Sequence, residues 1–95
     1  MYDFKDIDPD KVYKNHSDFW EYVYERDNRL CQLCGGAGQL QHHVVYRSRG
    51  GGNKPNNVIL FCCFCHSHVH NVNYPEYLLL DKIIKNEKRF RKRLS

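Results

Sequence analysis

At 95 residues the chain makes one small domain, too short to bury a large core without a staple such as a metal or disulfides. Its net charge of +4 is uneven: residues 1–30 carry eight acids against five bases, while residues 31–95 carry three acids (Glu76, Asp81, Glu87) against ten bases, so the second half suits a polyanion. No apolar run approaches the ~18 residues of a membrane span, and the polar start Met1-Tyr2-Asp3-Phe4-Lys5-Asp6 has no secretory leader, so the expected setting is the cytoplasm, with reduced cysteines rather than disulfides.

Residues 1–16 read as an irregular arm with a turn at Asp8-Pro9-Asp10, and His16 reads as a surface residue. Ser17 is placed to cap a helix over 17–28, with Asp18 adding negative charge to its first turn. Phe19, Trp20, Tyr22, Val23 and Tyr24 give that helix a broad apolar side that belongs in the core. Cys31-Gln32-Leu33-Cys34-Gly35-Gly36 has the form of a zinc knuckle, with two residues between the sulfurs and glycine for the tight turn that follows. Leu40 to Tyr46 is rich in β-formers and predicts a strand. Arg47 to Asn57 is a loop containing Gly50, Gly51, Gly52 and Pro55, and Val58-Ile59-Leu60-Phe61 is a short buried strand.

A second helix begins near Phe64 and carries His66 and His70 before Asn71 and Asn73 loosen it. Pro75 suits the first turn of a last helix over 75–93. Leu79, Ile83, Phe90 and Leu94 recur there at helical spacing and face inward, and Lys85, Lys88, Arg89 and Lys92 fall mainly off that face. No repeat, low-complexity segment or linker divides the chain, so residues 1–95 read as one unit.

Two metal sites emerge from the spacing. Cys31-x-x-Cys34 and Cys62-x-x-Cys65 complete the four-ligand shell usual for structural zinc. A register with Cys63 as ligand is open, although only Cys62 and Cys65 repeat the spacing of the first pair. His66 and His70 share one helical face and can grip one cation, with His68 pointing elsewhere. The pair His42-His43 can supply a further ligand and a proton acceptor, His42 completing three ligands from the facing strand. Alternation along a strand sends these two rings to opposite faces, so both can serve one substrate only where the pair sits at a strand end or twist.

The order knuckle, His-His-Val, glycine-containing loop, Asn-Val-Ile-Leu, Cys-x-x-Cys-His resembles the HNH endonucleases over about residues 31–70. The resemblance implies an α+β chain with a ββα-metal (treble-clef) core, a two-stranded antiparallel hairpin followed by a helix. Flanking helices at 17–28 and 75–93 are typical of small stand-alone members, many of them from phages. By position it implies His43 as general base, His42 as the metal ligand before it, Asn57 as the asparagine that holds loop and base in place, and His66 as the last motif residue, a metal ligand. His70 is a ligand in the subgroup with a His-His pair. Many members have Asp-His at this point, and the His-His form with His66-x-x-x-His70 looks like the colicin nucleases, which lack the four-cysteine site.

The chemistry so implied is metal-dependent hydrolysis of DNA phosphodiester bonds, by nicking or double-strand cleavage. Imidazole can accept the water's proton near neutral pH, and a divalent ion adds Lewis-acid charge. Three imidazoles suit Mn, Ni, Co or Zn, whereas Mg prefers oxygen ligands. Arg47 and Arg49 read as phosphate contacts or as solvated loop residues. Lys85, Lys88, Arg89, Arg91, Lys92 and Arg93 read as a backbone-tracking face for double-stranded DNA, with low sequence specificity, or as a solvated one. The rival is a non-catalytic zinc-binding module for nucleic acid or protein, which leaves His43 and Asn57 without a role. A nuclease acting on RNA would share the same site.

Overall fold

The computed structural model describes residues 3–14 and 17–95, apart from the Arg47 side chain; His16, read above as a surface residue, lies outside them. The architecture is α+β. Helix α1 (Ser17–Arg26) leads through the knuckle to strand β1 (Leu40–His43), which pairs antiparallel with β2 (Val58–Phe61); helices α2 (Cys63–Asn71) and α3 (Glu76–Leu94) follow. The hairpin followed by α2 is the ββα core expected from the sequence. No helix among the described residues is long and apolar enough to cross a membrane.

Three boundaries differ from the sequence reading. Helix α1 has Ser17 as its first residue rather than its cap, and stops at Arg26, two residues short. Asn28 and Arg29 take φ of 57° and 61°, and their N–H groups bond Glu25 O and Tyr24 O, a Schellman closure that turns the chain toward the knuckle. Strand β1 ends at His43, not Tyr46. Beyond it the main-chain carbonyl of Asn57 accepts from Val44 N–H and its side-chain Oδ1 accepts from Val45 N–H, so an asparagine side chain takes over from the ladder. The loop from Arg47 to Asn57 also holds two short 3-10 turns, Arg47–Arg49 and Pro55–Asn57.

Strand β2 is buried along its whole length and divides the core by the period-two alternation of a strand. Ile59 and Phe61 pack with Val44, Val69, Leu79 and Ile83 near the cysteines, and Val58 packs with Ile7, Phe19, Tyr22, Val23 and Phe90. Leu79, Ile83 and Phe90 of α3 face inward as expected, and Leu94 packs half-buried against the second group. The arm folds onto this second group, with the Phe4 ring edge-on to Tyr22 and the Arg91 guanidinium donating to Phe4 O, Lys5 O and Ile7 O.

Between the two groups lies a polar hub. The Arg26 side chain is fully buried and donates to both oxygens of Asp27, to Glu87 Oε2 at 3.2 Å, to Pro55 O at 2.5 Å and to Val58 O at 2.6 Å. Asp27 also accepts from Leu60 N–H and from Asn86, and Tyr22 Oη donates to Glu87 at 2.8 Å. Burial opposes the guanidinium's charge, but the carboxylates of Asp27 and Glu87 outweigh it and raise its pKa. Burial first, then the charge of Glu87, pushes the Tyr22 phenol up. Arg26→Met would strand Asp27 and Glu87 without their cation, and the expected loss is about 3–5 kcal/mol of stability, read as a lower urea midpoint.

Candidate metal centres

The first centre is built of sulfur. Gly35, with φ of 79°, lets the knuckle fold back, so that Cys31 N–H bonds Gly36 O at 2.7 Å and Gly36 N–H points at Cys34 Sγ. The second pair sits at the start of α2, where Cys62 is the cap and its sulfur accepts from Cys65 N–H. The four sulfurs of Cys31, Cys34, Cys62 and Cys65 lie within 4.8 Å of one another. Cys63 stands outside the cluster, exposed, its N–H bonded to Gln39 Oε1. Of the two registers open in the sequence, the geometry therefore assembles the one with Cys62.

Burial alone would raise the Cys31 thiol, but backbone hydrogen bonds at Cys34, Cys62 and Leu33 outweigh it and bring it down to about 6. Burial, followed by the crowding of Cys62, Cys31 and Cys34, pushes Cys65 up. Sulfurs this close become thiolates together only around a cation, and a tetrahedral set of four fits a metal ion such as zinc.

The second centre is built of imidazole. His42 reaches toward α2 from β1, and His66 and His70 reach back from successive turns of that helix. Ring centroids are 5.4 Å from His42 to His66, 5.2 Å from His42 to His70 and 4.7 Å between the helical pair. One donor nitrogen from each lies within 4.8 Å of the others, and Nε2 of His66 and Nε2 of His70 face each other at 3.4 Å. His68, on the same helix, is no part of the group. Burial lowers His42 to about 4, helped by His66, His70 and His43; burial and His70 lower His66 as well. Both shifts favour the neutral ring, the form that donates a lone pair to a metal.

Beside His42 and His70 lies a small cavity lined also by Val44, Tyr46, Arg49 and Glu76, among others. The Tyr46 ring stacks on His70, and its hydroxyl is 3.2 Å from Nδ1; an Nδ1–H donating to that oxygen is the tautomer that leaves Nε2 free to ligate. Arg49 donates to Glu76 at 2.6 Å on the rim. Tyr46 and Glu76 carried no signal in the sequence, because each reads as an ordinary residue until the loop and the start of α3 are brought beside His70.

His43, the last residue of β1, turns to the other face. Its Nε2 lies 2.6 Å from Asn53 Oδ1, and Trp20 meets its ring edge-on at 6.2 Å. Asn57 ties the loop: Nδ2 donates to Val45 O and Gly52 O, and Oδ1 accepts from Val45 N–H. Gly51 fills the space this clasp leaves, since a Cβ there would lie 1.9 Å from Val45 O. Asn53 escaped the sequence reading because an asparagine after three glycines reads as a turn residue.

The two centres differ in what their loss should do. Structural zinc supplies on the order of 10 kcal/mol of folding free energy in small domains, so verified zinc removal should lower the melting temperature sharply; an unchanged melt would contradict a structural role. His70→Ala should leave the cysteine-bound zinc in place. It should also weaken Ni or Mn binding at the triad, measured calorimetrically, by at least ~10-fold.

The HNH endonuclease family model matches residues 31–72, and no curated protein matches the chain. The matched residues include the knuckle, both strands, the loop and all of α2, and with them the four clustered cysteines and the three clustered histidines. Over residues 31–72, the segment that holds both clusters, the chain is similar to the HNH endonucleases.

Proposed function

We propose that the protein is a metal-dependent DNA endonuclease that hydrolyses phosphodiester bonds with His43 as general base. The observation that carries the reading is the triad of His42, His66 and His70, which a purely structural zinc module would have no use for. Four thiols saturate a tetrahedral ion; three imidazoles leave positions for substrate. A divalent cation held by the triad would supply Lewis-acid charge to the scissile phosphate and the departing oxygen.

The chain's own residues would do the rest. His43 would take a proton from the attacking water, so that an oxygen–phosphorus bond forms as the bond to the 3′ oxygen breaks; that oxygen would take a proton from solvent water, leaving a 5′ phosphate and a 3′ hydroxyl. Asn57, by bridging Val45 and Gly52, would hold the segment behind His43 rigid. Because β1 ends at His43 and the chain bends at Val44, a phosphodiester lying across that end could meet both histidines despite their opposite faces. Arg49 would have to exchange its Glu76 carboxylate for phosphate to act as a contact; Arg47 belongs to the same proposed role by its place in the loop.

The proposed DNA-tracking face on α3 is narrower than its sequence implied. Arg89 donates to Arg26 O, Arg91 holds the arm, Arg93 donates to Asn28, and Lys85 pairs with Asp81. Lys88 and Lys92 are exposed and are the residues of that face most suited to phosphate.

Supercoiled plasmid tests the reading. With Mn or Ni added to protein whose cysteine zinc is intact, nicking is expected, and His43→Ala should slow it by about 10²–10⁴-fold with an unchanged melting temperature. Equal nicking by the variant, or none by the wild type with any divalent metal, would overturn it.

A further inference from the structure

We propose that Asn53 is a positioning residue that holds His43 as its Nε2–H tautomer and so leaves Nδ1 as the proton-accepting atom. The inference deepens the reading of His43 as the base and rests on it. Asn53 Oδ1 lies 2.6 Å from His43 Nε2. An amide oxygen can only accept, so the hydrogen of this bond sits on the ring nitrogen. A neutral imidazole has one N–H, and with Nε2 carrying it the lone pair is on Nδ1.

The amide is well placed to enforce that choice. Asn53 is 5% exposed. Its main-chain carbonyl accepts from Tyr13 N–H at 2.9 Å. The preceding carbonyl, of Gly52, accepts from Lys54 N–H at 2.8 Å and from Asn57 Nδ2 at 3.1 Å. The segment is therefore fixed between the N-terminal arm and the asparagine clasp, and Val12 packs against Gly52. On the histidine side Trp20 presents its edge to the ring, and Trp20 is itself packed on Phe19, which stacks with Tyr13. One aromatic chain thus runs from the arm to His43, and one polar chain runs from the arm through Asn53 to the same ring.

The orientation has a chemical consequence. With the amide turned the other way, its N–H would donate to Nε2, the ring hydrogen would move to Nδ1, and both nitrogens would be occupied. Tautomer and ring rotation are then set together by a residue that needs no contact with substrate. This is the general arrangement of a base oriented by a third group.

Two measurements test this. Long-range proton–nitrogen correlation spectra of histidine-labelled, zinc-loaded protein at about pH 8 should show His43 protonated at Nε2, and in Asn53→Ala should show the two tautomers averaged. In the plasmid assay with Mn, Asn53→Ala should lower kcat on the order of 10- to 100-fold with KM nearly unchanged. Asn53→Ser, which keeps a polar loop residue but shortens the side chain, should behave alike and covers poor folding of the alanine variant. A wild-type His43 protonated at Nδ1, or Asn53 variants that nick within ~twofold of wild type, would overturn the proposal. Those results with an inactive His43→Ala remove Asn53 alone. An intact Nε2–H pattern with a fully active His43→Ala instead removes the nuclease role of His43, and the positioning role with it.

Discussion

One buried guanidinium organises this small protein. Arg26 sits where α1, β2, the loop before β2 and α3 meet, and each of its donors has an oxygen to meet. An unpaired charge there would cost several kcal/mol; paired on both sides it fixes geometry that apolar packing would leave loose. Arginine suits the position because its planar fork reaches two carboxylates and two carbonyls at once, which a lysine ammonium cannot do. The two carbonyls, Pro55 O and Val58 O, flank Asn57. The hub therefore holds the ends of the very segment whose asparagine clasps Val45 and Gly52. Residues outside the 31–72 segment, on α1 and α3, complete the support of the core inside it.

Strand alternation then gives two adjacent histidines two environments. His42 turns toward α2, becomes buried and is kept neutral; His43 turns toward the arm and stays half-buried beside Asn53 and Trp20. A ligand and a base have opposite needs. The first benefits from a dry setting that keeps its lone pair unprotonated, and the second needs contact with water. For the roles proposed above, opposite faces at a strand end would supply both without inserting a residue. The parity that made His42-His43 look awkward in the sequence is consistent with a division of work between them.

What was legible in the sequence was local. Cysteine spacing marked the knuckles, apolar runs marked β2 and the inward face of α3, and His66 with His70 followed from helical periodicity. What was not legible depends on tertiary pairing of charge. Arg26, Asp27 and Glu87 count as surface charges in any sequence tally, yet they form the polar interior. Arg91, in a basic stretch that reads as a nucleic-acid face, is spent on carbonyls of the arm. The early end of β1 was hidden for a related reason. Val44 and Val45 continue the β-forming composition, but Asn57 takes both their hydrogen bonds, Val44's on its main-chain carbonyl and Val45's on its side chain, and nothing in the composition announces that.

The two metal centres are coupled through α2. Cys62 caps that helix and Cys65 lies in its first turn, so the sulfur cluster fixes where the helix starts and how it is rotated. His66 follows Cys65 directly and His70 lies one turn further, so their approach to His42 is set by the same rotation. On the other side, the hairpin register pairs His42 with Ile59, and β2 runs straight on into Cys62. Both halves of the imidazole triad are thus referenced to one tetrahedron of sulfur. A small domain cannot rely on a large core to hold three rings within metal-binding distance. In the function proposed above, a closed four-thiolate site would give the rigidity and leave the open site beside it available for chemistry.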